Sequence, residues 1–94
     1  MCGKFQLGEM VKSIAGRDTG KYYIVVKIDN EKYVQVADGD KKRLERPKRK
    51  NVKHLKPAGF VHKELQIWLS NGKRVRNEDI KKIIKDFVKN EEAN

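Results

Sequence analysis

The sequence predicts a mainly β domain with α-helices at its C-terminal end, and the β part is predicted to be a small barrel. The chain of 94 residues has the length of a single domain. Short apolar runs separated by glycine-containing turns fill its first two thirds, which favours a barrel. In the final third the apolar residues recur instead at the spacing of an amphipathic helix.

The β part is predicted to contain four short strands. The clearest strand has Tyr22, Ile24 and Val26 on one face and Tyr23 and Val25 on the other. Because the first face is the more apolar, we expect Tyr22 to be buried and Tyr23 to be the more accessible ring. A turn with two glycines and an aspartate precedes this strand. The predicted strands cover residues 8–14, 22–28, 32–37 and 51–55.

Two helices follow, predicted over residues 61–70 and 78–89. Asn77 is a favourable N-cap for the second helix. A boundary near residue 59 divides the chain into a β-barrel, 1–59, and a helical extension, 60–94, which we expect to pack together as one structural unit. The apolar stripes are Val61, Leu65, Trp68 and Leu69 in the first helix, and Ile80, Ile83, Ile84, Phe87 and Val88 in the second.

The positive charge is concentrated in one segment. The chain has 23 basic and 13 acidic side chains, a net charge of +10. Residues 41–56 hold nine of the basic groups and one acid, whereas residues 77–94 hold four basic and five acidic groups. A patch of clustered cations favours a polyanionic partner, and RNA is the first choice. We expect the second helix to lie outside this patch.

The candidate RNA-binding residues lie in the basic segment, in the preceding turn and on the strands. Cations would neutralise phosphates, and a tyrosine ring on the sheet would either stack on a base or fill the core. The basic segment also fits a solvated loop, a nuclear localisation signal or a site for acidic lipid. The candidates are Arg17, Lys21, Tyr23, Tyr33, Lys41, Lys42, Arg43, Arg46, Lys48, Arg49, Lys50, Lys53 and His54.

No cofactor, metal or catalytic residue is predicted. The turn at 16–21 has one residue too few for a Walker A nucleotide-binding loop, and a strand follows it instead of a helix. One cysteine and two histidines do not supply the ligand spacing of a zinc site. We therefore expect a protein that is not an enzyme. The single cysteine and the lack of an apolar leader or membrane span predict a cytoplasmic monomer without a membrane partner.

Several segments together resemble a known family. Residues 8–28, which begin GEMVKSIAGRDTGK, look like a KOW motif, in which a glycine-bearing loop joins two strands. Residues 46–55, RPKRKNVKHL, are similar to a segment of an archaeal and eukaryotic large-subunit ribosomal protein. With the Asp-Gly-Asp turn at 38–40 and PAGF at 57–60, residues 5 to about 90 resemble small bacterial KOW proteins that bind RNA.

This resemblance implies a fold and a function. The fold would be a five-stranded SH3-like barrel with a helical C-terminal extension. The ligand would be RNA, with ribosomal RNA first, in a ribosome-associated or ribosomal-protein-like role in translation. The alternative is a protein-interaction barrel that docks an acidic partner or RNA polymerase.

Overall fold

The chain folds into one five-stranded antiparallel sheet with two helices packed on one of its faces. The structure is a computed structural model that describes residues 5–72 and 74–93, with side chains as far as residue 90. The described residues do not include 1–4, 73 and 94. Cys2 and the outer ends of the two predicted parts therefore lie outside them. In chain order the elements are β1 (Glu9–Ser13), β2 (Tyr22–Ile28), β3 (Tyr33–Ala37), β4 (Lys48–Asn51), a 3-10 turn (Val52–His54), β5 (Leu55–Val61), α1 (Lys63–Ser70) and α2 (Asn77–Ala93).

The strands lie in the order β4-β3-β2-β1-β5, so β4 and β5 are the edges of an open sheet. The single strand predicted at 51–55 is wrong, because two strands separated by the 3-10 turn occupy this region. β5 continues through Pro57 and Gly59, beyond residue 55, where the predicted strand ends. Proline is tolerated there because β5 is an edge strand. The boundary predicted near residue 59 therefore falls inside β5.

Both predicted helices are confirmed, with shifted ends. α1 begins at Lys63, because Val61 ends β5 and the Nδ1 atom of His62 accepts a hydrogen bond from the Leu65 backbone N–H at 3.1 Å. α2 extends beyond the predicted 78–89 at both ends. Neither helix, as far as the chain is described, is long and apolar enough to cross a membrane.

Both faces of the sheet are buried, and each carries its own apolar cluster. β2 contributes Tyr23 and Val25 to the inner cluster and Ile24 to the outer cluster, which the helices cover. The prediction that Tyr23 is the accessible ring is therefore wrong: Tyr23 is 2% exposed, whereas Tyr22 is half-buried. The buried members are Val11, Tyr23, Val25, Val34, Val36 and Leu55 in the inner cluster, and Met10, Ile24, Leu65 and Ile80 in the outer cluster.

The sheet is strongly curled around the inner cluster. The Nζ atom of Lys50 on β4 lies 3.2 Å from the Oγ atom of Ser13 at the end of β1. Two strands, β2 and β3, separate β4 from β1 in the sheet. In a flat sheet β4 and β1 would lie about 14 Å apart, three times the usual spacing between neighbouring strands. Curling is what brings the two side chains into contact.

The start of α2 is fastened to the loop between β3 and β4. The Oδ1 atom of Asn77 accepts a hydrogen bond from the Leu44 backbone N–H at 2.7 Å, and its Nδ2 donates to Glu45 at 3.0 Å. The side-chain amide of Asn77, which the sequence predicts as the N-cap of α2, thus binds the loop instead. Gly39 lies so close to α2 that a Cβ atom added there would come within 2.9 Å of the Lys81 backbone nitrogen. These contacts fix the position of the loop against the first turns of α2.

Ile80→Ala should loosen α2 from the sheet. Ile80 is fully buried in the outer cluster, so truncation removes buried carbon atoms and leaves a cavity. We expect the free energy of unfolding to fall by roughly 2–5 kcal/mol in urea denaturation. Ile67 on α1 is the matched control because it is 55% exposed, and Ile67→Ala should change stability by less than about 0.5 kcal/mol. Equal losses in the two variants would show that α2 does not dock through Ile80.

Candidate nucleic-acid interface

The carboxylate of Asp18 organises the turn between β1 and β2, residues 14–21. Two glycines in this turn adopt positive φ, which the sequence predicts. Asp18 is 8% exposed. Its carboxylate accepts hydrogen bonds from the hydroxyl of Ser13 at 2.9 Å and from the hydroxyl of Tyr23 at 3.0 Å. The turn is therefore held against the strands on both of its sides.

Two lysines of β4 also bind this carboxylate. The Nζ atom of Lys50 lies 3.0 Å from one oxygen of Asp18, and the Nζ atom of Lys48 lies 3.3 Å from the other. The Lys50 side chain is 8% exposed, whereas that of Lys48 is 37% exposed. A lysine so deeply buried is tolerable only when a counter-charge accompanies it. The pair brings the turn and the first residues of β4 to the same end of the sheet.

The ionisation of Asp18 and Tyr23 follows from these contacts. Burial acts to raise the pKa of Asp18, but the hydrogen bonds from Lys50, Ser13, Tyr23 and Lys48 outweigh it and hold that pKa well below its usual range. The pKa of Tyr23 is raised, first by burial and then by the neighbouring carboxylate. At neutral pH Asp18 is therefore charged and the phenol keeps its proton.

The structure divides the candidate RNA-binding residues into buried and accessible ones. Tyr23 and Lys50, at 2% and 7% exposure, direct their polar atoms to Asp18 and present nothing to a ligand. Their partner Asp18 lies far from Lys50 in sequence, so the sequence does not reveal this pairing. The accessible or half-buried candidates are Arg17, Lys21, Tyr33, Lys41, Lys42, Arg43, Arg46, Lys48, Arg49, Lys53 and His54.

Three cations of the loop between β3 and β4 converge on one shallow depression. Lys41, Arg43 and Arg46 line it together with Glu45, and we call this group of cations the loop site. The hydrogen bond from Asn77 is the main cause that lowers the pKa of Glu45, and Arg43, 3.5 Å away, adds to it. Glu45 is thus negative at neutral pH and offsets one of the three positive charges. Clustered cations of this kind suit adjacent phosphates of a nucleic-acid backbone.

Arg49 on β4 lies over the ring of Tyr33 on β3, on the face of the sheet opposite to Lys48 and Lys50. The guanidinium carbon of Arg49 lies 4.3 Å from the centre of the Tyr33 ring. Asp29 holds the guanidinium in place through an ion pair of 3.3 Å, and Gln35 donates a hydrogen bond to Asp29 at 2.9 Å. Since side chains alternate along a strand, Arg49 points away from the side that Lys48 and Lys50 occupy. The structure therefore does not bring Tyr33 to the Asp18 turn.

A second shallow depression joins the β1–β2 turn to α2. Lys21 and Lys41 line it together with Lys81 and Lys85, and we call these four cations the helix site. The sequence does not indicate the two α2 lysines as site residues, because acidic residues outnumber basic ones in residues 77–94. No signal in the sequence places α2 beside the turn. The other lining residues are Tyr22, Ile84, Val88, Asp38 and Asp40.

Asp18→Asn should destabilise the protein, because it leaves the ammonium group of Lys50 buried without its counter-charge. Breaking a buried ion pair from one side costs roughly 3–5 kcal/mol, and we expect a loss of this size in urea denaturation at neutral pH. Asp40→Asn, at an exposed turn position, should change stability by about 0.5 kcal/mol or less. The double variant Asp18→Asn/Lys50→Met should regain part of the loss. Losses that simply add in the double variant would contradict the pairing.

The pH dependence of stability should also reflect the buried carboxylate of Asp18. A carboxyl whose pKa is lower in the folded chain stabilises the fold above its unfolded-state pKa of about 3.9, and this contribution is lost as the pH falls further. Unfolding monitored by circular dichroism should therefore show stability declining from about pH 4 downward. The decline should be shallower in Asp18→Asn, whereas Asp40→Asn should follow the wild-type curve.

Comparison with known proteins assigns no family to the chain. No protein-family model and no curated protein sequence matches it. Within residues 5–72 and 74–93, no group of three or more His, Cys, Asp or Glu side chains is placed to hold a metal ion.

Proposed function

We propose that the chain is an RNA-binding protein that holds structured RNA, ribosomal RNA first, through the loop site and the β1–β2 turn. The observation that carries this proposal is the convergence of Lys41, Arg43 and Arg46 on one depression. Arg17 and Lys21 are exposed on the turn, which Asp18 brings to the same end of the sheet as Lys48. Phosphates bound there release their counter-ions, which favours binding at low salt.

We also propose that the curled sheet is the SH3-like barrel of a KOW protein. The contact between Lys50 on β4 and Ser13 on β1 supports this, because it requires the sheet to bend around the inner cluster. The strand–glycine turn–strand order of a KOW motif corresponds to β1, the turn at 14–21 and β2. A ribosome-associated role in the cytoplasm is the one that the resemblance implies for such a protein.

The Tyr33–Arg49 pair favours RNA over an acidic protein as the partner. An acidic protein could satisfy the cations of the loop site equally well. RNA adds unpaired bases, which stack on aromatic rings and on guanidinium planes. Because Asp29 already holds Arg49 over Tyr33, the stacking surface is assembled before any ligand arrives. A base would stack on the outer face of the guanidinium or take its place on the ring.

Removing two cations of the loop site should weaken RNA binding and reduce its salt dependence. We expect Arg43→Gln/Arg46→Gln to lower the slope of log K against log salt by roughly 1.4–1.8, from about 0.7–0.9 for each phosphate that is no longer neutralised. The measurement is fluorescence anisotropy with a labelled RNA hairpin, titrated at several salt concentrations.

The matched control for the loop site is Lys82→Gln/Lys89→Gln. Both lysines are exposed on α2 and line neither the loop site nor the helix site, so the control removes the same charge from elsewhere. It should leave the slope within experimental error of the wild type. Equal effects of the two double variants would mean that only net charge matters. Weak RNA binding together with salt-insensitive binding to a protein would instead favour an acidic protein partner or RNA polymerase.

Tyr33→Ala should weaken binding in a different way. If a base stacks on the Tyr33–Arg49 pair, removing the ring costs roughly 1–3 kcal/mol of binding free energy. The salt slope should stay unchanged, because every cation that neutralises a phosphate is still present. Tyr33→Phe keeps the ring and serves as the control, with affinity close to that of the wild type. Anisotropy with an unpaired RNA strand measures both variants, and an unchanged affinity in Tyr33→Ala would rule out stacking at this position.

A further inference from the structure

We propose that α2 is the second wall of the RNA-binding surface, with Lys81 and Lys85 binding phosphates beside those held by the loop site. This inference rests on the proposed function. It extends the RNA-binding surface to α2, although acidic residues outnumber basic ones in residues 77–94. The surface would then run from the loop site, across Lys41, to the helix site.

Lys41 makes the two depressions continuous. It lines the loop site with Arg43 and Arg46, and it lines the helix site with Lys81 and Lys85. Among the described residues, no ion pair engages Lys21, Lys41, Lys81 or Lys85, although the ion pairs elsewhere engage Arg43, Lys48, Arg49 and Lys50. The cations of the helix site therefore have their charge available for a ligand.

Acidic groups at the helix site reduce its positive charge but do not cancel it. Asp38 and Asp40 line the depression with the four lysines. One carboxylate oxygen of Asp38 accepts hydrogen bonds from the backbone N–H groups of Asp40 and Lys42, at 2.9 and 2.8 Å. That carboxylate is thereby engaged within its own turn. The four lysines leave a net charge of +2 at the helix site, the same sign as at the loop site.

The fold fixes the distance between the β3–β4 loop, which carries the loop site, and α2. Asn77 at the start of α2 is bonded to Leu44 and Glu45 of the loop, and Gly39 packs against the backbone of Asn77 and Lys81. The backbones that carry Lys41 and Lys81 therefore have one relative position. Little backbone ordering is then needed when RNA binds, which lowers the entropic cost of association.

The lining of the helix site suits a sugar–phosphate strand. Three residues with apolar side-chain atoms, Tyr22, Ile84 and Val88, line it together with the four lysines. A phosphodiester strand offers the complementary arrangement, since charged phosphates alternate with the carbon atoms of the sugars. Phosphates would contact the lysines while sugar carbons lie against Tyr22, Ile84 and Val88. Contacts to the backbone of this kind carry no sequence information and would position the RNA.

The test compares three double variants that remove equal charge. Lys81→Gln/Lys85→Gln removes the α2 wall, Arg43→Gln/Arg46→Gln reduces the loop site, and Lys82→Gln/Lys89→Gln is the control on the same helix. Each full-length variant is titrated with the labelled RNA hairpin at about 50 and about 200 mM salt. Between these conditions the wild type should lose roughly tenfold more affinity than the α2-wall variant, the difference expected for two neutralised phosphates. Thermal melts check that all three variants fold.

The outcomes separate this inference from the function on which it rests. A reduced salt dependence in the α2-wall variant, with the control unchanged, supports the second wall. An effect of the loop-site variant alone leaves RNA binding in place and overturns the α2 wall. If the α2-wall variant and the control weaken binding equally, the α2 wall is again overturned, because the position of the charge does not matter. A wild type that does not bind the hairpin overturns both proposals.

Discussion

The buried carboxylate of Asp18 is the constraint on which the arrangement of this protein depends. Taking a carboxylate and an ammonium group out of water is costly, and only a close pair with further hydrogen bonds offsets that cost. Here Lys50 supplies the charge, while Ser13 and Tyr23 supply hydroxyl donors. These partners come from β1, β2 and β4, so one side chain ties together strands that are not all neighbours in the sheet. The same contact holds the β1–β2 turn, and with it the exposed Arg17, at the end of the sheet where β4 begins.

Local patterns predict the elements that have an apolar signature of their own. β2, β3 and both helices are predicted within a few residues, because each carries apolar residues at the period of its structure. β4 has the sequence KRKN and no such period; it is a strand because β3 lies beside it and pairs with it. β5 contains Pro57 and Gly59, which a local pattern indicates as a stop. Only the position of β5 at the sheet edge, unknown from sequence, makes this proline acceptable.

The candidate site shows that a local pattern of charge, like a local apolar pattern, does not predict contacts between distant parts of the chain. Counting cations along the chain finds the loop site, because its members lie within a few residues of each other. The same count includes Lys50 with the accessible cations of residues 41–56, although the Lys50 side chain is buried and points to the inside of the curled sheet. It also discounts Lys81 and Lys85, because acidic residues follow and precede them along α2. Charge that is balanced along a helix need not be balanced across its faces. Packing decides which of those faces adjoins the turn.

α2 does more than cover the sheet, because it also holds the β3–β4 loop. If α2 only buried the outer cluster, contacts of Ile80 and its neighbours with the sheet would suffice. The fold adds polar fastening as well: Asn77 binds the β3–β4 loop, and Gly39 permits a close approach that any side chain would block. A loop with so many cations repels itself and would otherwise sample many conformations. Fastened to α2, the loop presents Lys41 in a defined position between the loop site and the helix site. The packing of α2 on the sheet and the order of the β3–β4 loop therefore depend on the same contacts.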